Sequence, residues 1–400
     1  MILGICIDEN FAYVSTDTDS TVIQYPFAVG KNLVSNNWFV GEEARVENVD
    51  NVDIVIDKLF YLLENDGNAR IGDVTYEAKD LARIFISNLL QKYENIECVT
   101  VVVRKNNVKI LSKLKVALSQ CIEDKYKYKV TTYSEAFVSY IKSKGSAYYS
   151  NPIALFDFTE KALTFYELIR YKAKNDIEYW KVEVEEHLAL PLDLLSGDPG
   201  KKVCDNLLYD FAKKCLKEEN YNNIILSGLG FKDSSVYREF MTYVCSLTVV
   251  DTDADFFSKA ATLLSKDLLD DNFDKNVVLM TDARTLVSIR LLAIVDNANV
   301  KIDLVQPGEE WFEIYNKSFN VILDEEKVVR FECLKIIEGV ISDFLIAVPE
   351  NTRLRKDKTN LFEVALTFLQ QNLLQVNIKD IGFGEFYEPT VSSNSKDIEL

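Results

Sequence analysis

Few residues in this chain have the type and spacing that chemistry demands. Gly197-Asp198-Pro199-Gly200-Lys201-Lys202 approaches a phosphate-binding loop, whose backbone amides would cradle an anion. GxxxxGK[ST] would need Gly at Leu195 and Ser or Thr at Lys202, so a turn with Gly200 before a helix is the better reading. Asp17-Thr18-Asp19-Ser20-Thr21 fits the spacing of an aspartate nucleophile for phosphoryl transfer, yet it sits in a polar hairpin turn, where Asp and Ser have a conformational use. Asp251-Thr252-Asp253-Ala254-Asp255 begins like a calcium loop, but Phe256 and Thr262 stand where glycine and a bidentate glutamate belong. His187 is the one histidine, which removes paired-His metal sites and most histidine acid–base chemistry; it follows an alternating run and ends a strand. Leu226-Ser227-Gly228-Leu229-Gly230-Phe231 lies between a strand and a helix, the context in which backbone can approach a ligand closely.

These segments are positioned by a pattern that occurs twice. Met1–Ile7, Phe11–Thr16 and Thr21–Tyr25 read as three short strands separated by Asp/Asn/Ser turns. Apolar residues from Thr75 to Tyr93 recur at helical spacing ahead of the strand Cys98–Val103. A helix over Val108–Cys121, the strand Tyr128–Thr132 and a helix capped by Ser134 follow. After Lys144-Gly145-Ser146 the opening returns as Ile153–Phe156, Ala162–Arg170 and Glu178–Glu183. Helices from Val203 and Ser234, the strand Asn223–Leu226 and a helix over Phe256–Leu269 complete this copy. The period implies two similar domains rather than a solenoid, over 1–150 and 151–275. Residues 276–400 change to apolar or alternating runs at Val328–Ile337, Phe344–Val348, Leu361–Leu369 and Leu373–Lys379, the spacing of an all-β sheet or sandwich. The tail Ser392–Leu400 is expected to fray.

Composition narrows the function classes. The net charge of −18 over 400 residues argues against nucleic acid or anionic lipid as a partner, since both need a positive surface field. Only 14 residues are glycine, roughly half the usual ~7%, which leaves little for Gly-rich phosphate loops. Seven widely spaced cysteines without a CxxC pair are the pattern of reduced thiols in a cytoplasmic protein. Asp8 interrupts the first apolar run and no basic region precedes it, which argues against a signal peptide. No window approaches the ~18 apolar residues that a membrane helix requires.

Three strand ends are similar to those of the actin-like ATPase superfamily, and within it of the DnaK-type heat-shock chaperones: Ile5-Cys6-Ile7-Asp8-Glu9-Asn10, Leu155-Phe156-Asp157-Phe158-Thr159-Glu160 and Leu226-Ser227-Gly228-Leu229-Gly230. Trp38-Phe39-Val40-Gly41-Glu42-Glu43-Ala44 resembles the family's VGExA stretch, and Gly197-Asp198 with Asp205 its GD…GGxxxD region. Tyr133-Ser134-Glu135-Ala136-Phe137 stands where the family has Glu-Pro-x-Ala-Ala. The ending at Ile381-Gly382-Phe383-Gly384-Glu385 is similar to bacterial chaperone-like proteins of unassigned function. Over residues 1–270 the resemblance implies an α/β, two-lobed actin-like (ribonuclease H-like) ATPase fold, followed by a C-terminal β-rich domain. It makes Asp8 and Asp157 vestigial catalytic and magnesium-binding candidates, and Asn10, Thr159, Gly228 and Gly230 nucleotide-binding candidates.

The departures bear on activity. Glu9, Asn10 and Phe11 replace the family's Gly-Thr-Thr, and Phe158, Thr159 and Glu160 replace its second glycine run. Two carboxylates then stand where a triphosphate would lie, each like-charge contact costing about 4 kcal/mol at ~4 Å and an effective dielectric of ~20. The expectation is a degenerate chaperone-like scaffold in the cytoplasm, with no cofactor, that binds protein partners through its β domain. An active ATP-dependent chaperone using ATP and magnesium, or a filament-forming actin-like protein of cell division or shape, is the alternative. The basic cluster Arg353, Arg355, Lys356 and Lys358 reads as a solvated loop or as a contact for an acidic partner.

Overall fold

The computed structural model describes residues 1–19, 21–45, 54–122, 125–172, 177–216, 220–270, 276–324, 327–350, 352, 354–355, 358–390 and 392–400, with backbone alone at 185–187. Two compact units divide the chain, Met1–Val277 and Val278–Leu400.

The first unit holds two sheets built on one plan. Ile2–Ile7 is buried along its whole length, the burial of a central strand covered on both faces. It pairs antiparallel with Phe11–Thr16, which pairs antiparallel with Ile23–Pro26. On its other side lie the parallel strands Cys98–Val103 and then Lys127–Thr132. The crossovers between parallel strands are helical, as parallel pairing requires: Ala78–Leu90 leads into Cys98–Val103, and Val108–Ile122 separates it from Lys127–Thr132. In the second sheet Ile153–Phe158 is the fully buried centre. Ala162–Lys172 and then Glu178–Ala189 follow antiparallel on one side, and Asn223–Ser227 and then Val249–Asp253 parallel on the other. Helices Asp198–Cys215 and Arg238–Leu247 pack together beside this sheet, around a core of Phe156, Phe158, Phe165, Phe231, Tyr237 and Phe240.

The helix Phe256–Leu269 follows the second sheet in sequence but packs on the first. Ser15 Oγ donates to the Ser258 carbonyl at 2.5 Å, and Ser265 Oγ to the Leu3 carbonyl at 2.6 Å. Gly4 permits this approach, because a Cβ there would stand 2.3 Å from the Thr262 backbone nitrogen.

The second unit is β-rich throughout, as the alternating runs imply. One antiparallel sheet has the order Ala298–Val305, Val287–Val295, Val328–Lys335, Val340–Ala347. The other has the order Lys317–Leu323, Asn360–Gln370, Leu373–Asp380, Ser393–Glu399. Along Asn360–Gln370, alternate residues Phe362, Val364, Leu366 and Phe368 are buried, the period of a strand with one covered face.

Several local expectations are corrected. The tail does not fray: Ser393–Glu399 is an edge strand hydrogen-bonded to Leu373–Lys379, a partner that local composition does not reveal. Val74–Glu77 belongs to a hairpin with Asn68–Ile71, so the following helix begins at Ala78 rather than Thr75. Thr132, not Ser134, occupies the N-cap of the helix Tyr133–Ser143, and Ser134 is buried in its first turn. Helix Asp198–Cys215 starts ahead of Val203, so Gly200 lies within its first turn instead of before it. His187 does not end its strand but pairs with Thr164 inside Glu178–Ala189.

Gly4→Val forces the helix Phe256–Leu269 off the first sheet. A loss of about 1–3 kcal/mol is expected, read as a lower urea midpoint with an unchanged m-value.

Candidate functional site

Strand register brings the polar residues of the first unit to one edge. Ile7 lies opposite Val103, and Val103 opposite Thr132, so Asp8, Arg104 and Tyr133 leave three neighbouring parallel strands at their carboxyl ends. In the second sheet Asp157 lies opposite Ser227, and Gly228 follows at the same edge. Carboxyl ends of parallel strands are where α/β sheets place ligand-binding groups, because their loops are free of sheet hydrogen bonds there.

The two edges meet through an ion pair. Arg104 Nη1 lies 2.5 Å from Asp157 Oδ2, with the carboxylate side chain 1% exposed and the arginine 23% exposed. The guanidinium also lies over the Tyr133 ring, 5.1 Å from its centroid, and that ring stacks on Phe257 at 4.0 Å. Burial pushes the Asp157 carboxyl above its ordinary range; Arg104 and the Ser227 hydroxyl pull it down, while the charge of Asp8 adds to the rise. Beneath, the Tyr133 hydroxyl and Cys6 Sγ are 2.6 Å apart. Burial, opposed in part by that hydrogen bond, pushes the Cys6 thiol up to about 12.

The two turns at this edge are linked as well. Lys161 Nζ lies 2.6 Å from Glu9 Oε2, and Asn10 Nδ2 donates to Glu160 Oε2 at 3.3 Å. The carboxylates expected to oppose a triphosphate are therefore occupied by partners from the facing turn.

Each residue singled out in the sequence has a defined place here. Asp8 Oδ1 accepts the Asn10 and Phe11 amides at 2.8 and 2.7 Å, closing its own turn. Thr159 Oγ1 donates to the Ala162 carbonyl at 3.0 Å and accepts the Ala162 amide at 3.1 Å, so its hydroxyl serves its own hairpin. Gly228 has φ +92°, and a Cβ there would lie 2.3 Å from the Phe158 carbonyl oxygen; a Cβ on Gly230 would lie 2.2 Å from the Phe158 ring. Close approach at this GxG thus accommodates Phe158, the side chain that stands in place of a glycine. Asp205 caps the helix Arg238–Leu247 by accepting the Glu239 and Phe240 amides at 3.0 and 2.9 Å.

Motifs elsewhere have structural partners. Asp17 Oδ1 accepts the Ile2 amide at 2.8 Å. Asp251 Oδ2 accepts from Tyr148 at 2.7 Å and Asn223 at 2.8 Å, and Asp253 pairs with Lys259 at 2.8 Å. Arg355 stacks on Tyr387 at 4.0 Å, while Arg353 and Lys356 lie outside the described residues. No cluster of three or more His, Cys, Asp or Glu side chains suited to a metal ion occurs among the described residues.

Sequence reasoning missed Arg104 and Lys161. A signal for Arg104 was present: it is the first charge after the wholly apolar-or-Thr strand Cys98–Val103, at the edge where Asp8 and Asp157 were already suspected. Lys161 carries no comparable mark.

Arg104→Ala leaves Asp157 buried without its cation, for which a loss of about 3–5 kcal/mol at neutral pH is expected from chemical denaturation. A carboxyl raised in the folded state contributes stability below its unfolded value that is lost as pH climbs through its folded value. Removing Arg104 raises Asp157 further, so the deficit should shrink toward about pH 4. Native thiol labelling is expected to modify the exposed Cys245 and leave Cys6 intact until the chain unfolds.

Comparison with known proteins supplies a classification. No curated protein matches the chain. Among solved structures, one described as "pCBH ParM non-polymerisable quadruple mutant" is similar with a TM-score of 0.40 and 11% identity, over 66% of this chain and 98% of that one. A model described as "Domain of unknown function (DUF8552)" matches residues 284–400. The model "Family of unknown function (DUF5716) C-terminal" matches residues 10–282, and the chain belongs to that family.

Proposed function

We propose that this chain is an actin-like scaffold whose former nucleotide cleft is held closed by its own side chains, and that it works by binding protein partners without hydrolysing ATP. The observation that carries this reading is the set of three cross-links at the sheet edges, Arg104 to Asp157, Lys161 to Glu9 and Asn10 to Glu160. The five strands of the first sheet and five of the six strands of the second share one order, three antiparallel strands followed by two parallel ones, which supports a pair of actin-like lobes over 1–150 and 151–275.

Nucleotide phosphates need free backbone amides and a cation. The amides of Asn10 and Phe11 are turned to Asp8, and Phe158 fills the space beside Gly228 and Gly230. Magnesium demands oxygen ligands in near-octahedral array. Asp157 Oδ2 faces a guanidinium and Asp8 Oδ1 carries two amides, so this donor set does not suit the ion. Arg104 supplies the positive charge in its place. Residues 276–400, as a β domain of the kind chaperones use for peptides, are the expected carrier of protein binding.

Calorimetric titration with magnesium and ATP tests the reading. Binding is expected to be absent or weaker than about 1 mM, roughly −4 kcal/mol. Micromolar affinity with turnover that Asp8→Ala or Asp157→Ala abolishes would establish a working ATPase instead.

A further inference from the structure

One sheet of the second unit has an edge that is covered and an edge that is open. At the covered edge, Val340–Ala347 has outer carbonyls engaged by side chains of Ser393–Glu399: Asn394 Nδ2 donates to Ala347 at 2.8 Å and Lys396 Nζ to Leu345 at 3.4 Å. The opposite edge is Ala298–Val305. Val287–Val295 returns as this strand through Asp296-Asn297, with φ +51° and +63°, the two-residue turn of a tight hairpin. Such a turn is closed by a pair that exchanges both backbone bonds, here Val295 and Ala298, and the bonding alternates from there. Ala298, Val300 and Ile302 therefore direct their N–H and C=O groups into the hairpin, while Asn299, Lys301 and Asp303 direct theirs outward. No hydrogen bond to the backbone of these three from outside the hairpin occurs among the described residues. At Leu304 the register shifts and its carbonyl accepts Lys317 Nζ at 2.6 Å, which ends the open stretch.

An open strand edge is a template for another strand, and this one is complementary to itself. Two copies laid antiparallel about a two-fold axis at Ile302 set Lys301 of each against Asp303 of the other. Both residues of each facing pair carry outward backbone groups, so hydrogen-bond phase and charge pairing agree. An axis at Lys301 or Asp303 would oppose like charges, and an axis at Val300 would leave Lys301 opposite Asn299. The charges on this face already alternate across the sheet: Glu332 lies opposite Arg290 and Arg290 opposite Asp303, at 3.4 and 2.8 Å. Lys301, which reaches Glu332 at 2.5 Å within one copy, continues that alternation when it stands beside Asp303 of the second. On the other face Ile302, 41% exposed, meets itself at the axis. The net charge of −18 is screened beyond ~8 Å at physiological salt, whereas the contact itself is locally neutral.

We infer that residues 298–303 are a self-association edge, on which a second copy of this chain adds its own strand antiparallel about Ile302 and joins the two sheets into one. The contact is short, so the dimer is reversible and concentration-dependent. It is independent of the cleft and of nucleotide.

Sedimentation velocity of the full chain across a range of concentrations tests the association, with a monomer–dimer equilibrium expected. Asp303→Lys sets like charges against each other at both ends of the contact and is expected to weaken the dimer about tenfold or more. Register is read by cysteine cross-linking in a Cys245→Ser background, which removes the exposed native thiol. Across the axis the Cα atoms of position 302 would lie ~4.5 Å apart, within disulfide reach, and those of position 300 about 13 Å apart. Ile302→Cys is therefore expected to give a disulfide-linked dimer on mild oxidation, and Val300→Cys to give none. A chain that stays monomeric at every concentration, cross-linking at 300 as readily as at 302, or a dimer indifferent to Asp303→Lys would each overturn the proposal.

Discussion

A carboxylate at the end of one sheet and a guanidinium at the end of the other are the constraint on which the first unit turns. Asp157 is almost wholly buried, and a buried carboxylate without a counter-charge costs several kcal/mol. Arg104 answers it at 2.5 Å. The pair exists because parallel register brings Asp8, Arg104 and Tyr133 to one edge. Gly228, which has no Cβ, lets the turn after the neighbouring strand pack against Asp157 and Phe158.

From that pair outward the polar groups of the edge find partners within the chain. Asp8 holds its own turn, Thr159 holds its hairpin, and Glu9 and Glu160 meet Lys161 and Asn10. Tyr133 supports Arg104 from below and meets Cys6, whose thiol burial keeps protonated. The exposed Lys161–Glu9 pair is worth at most about 1 kcal/mol. The buried Arg104–Asp157 pair therefore dominates the energetics of the contact, while the surface pairs set its fit.

Much of this was legible in the sequence because local pattern and tertiary structure agree. The returning strand triplet, the apolar strand Cys98–Val103 and the helical period in Phe256–Leu269 each carry their own signal. What was not legible depended on distant partners. Ser393–Glu399 is polar and looks frayed, yet it gains a ladder from Leu373–Lys379. Val74–Glu77 is short enough to pass for the start of the next helix until it pairs with Asn68–Ile71. Glu9 and Glu160 were visible as charges out of place, but no spacing rule links Glu9 to Lys161 or Arg104 to Asp157. Gly228 and Gly230 are positions of close approach, the first to the Phe158 carbonyl oxygen and the second to the Phe158 ring.

Alternation along Asn360–Gln370 builds a covered face in the second unit. Whether the first unit's cleft is closed by its own residues is read most directly by hydrogen exchange at the amides of Asn10, Phe11, Thr159 and Gly228, with and without saturating magnesium and ATP. Exchange unaltered by nucleotide is the outcome that self-closure requires, and protection of these four amides on adding nucleotide would contradict it.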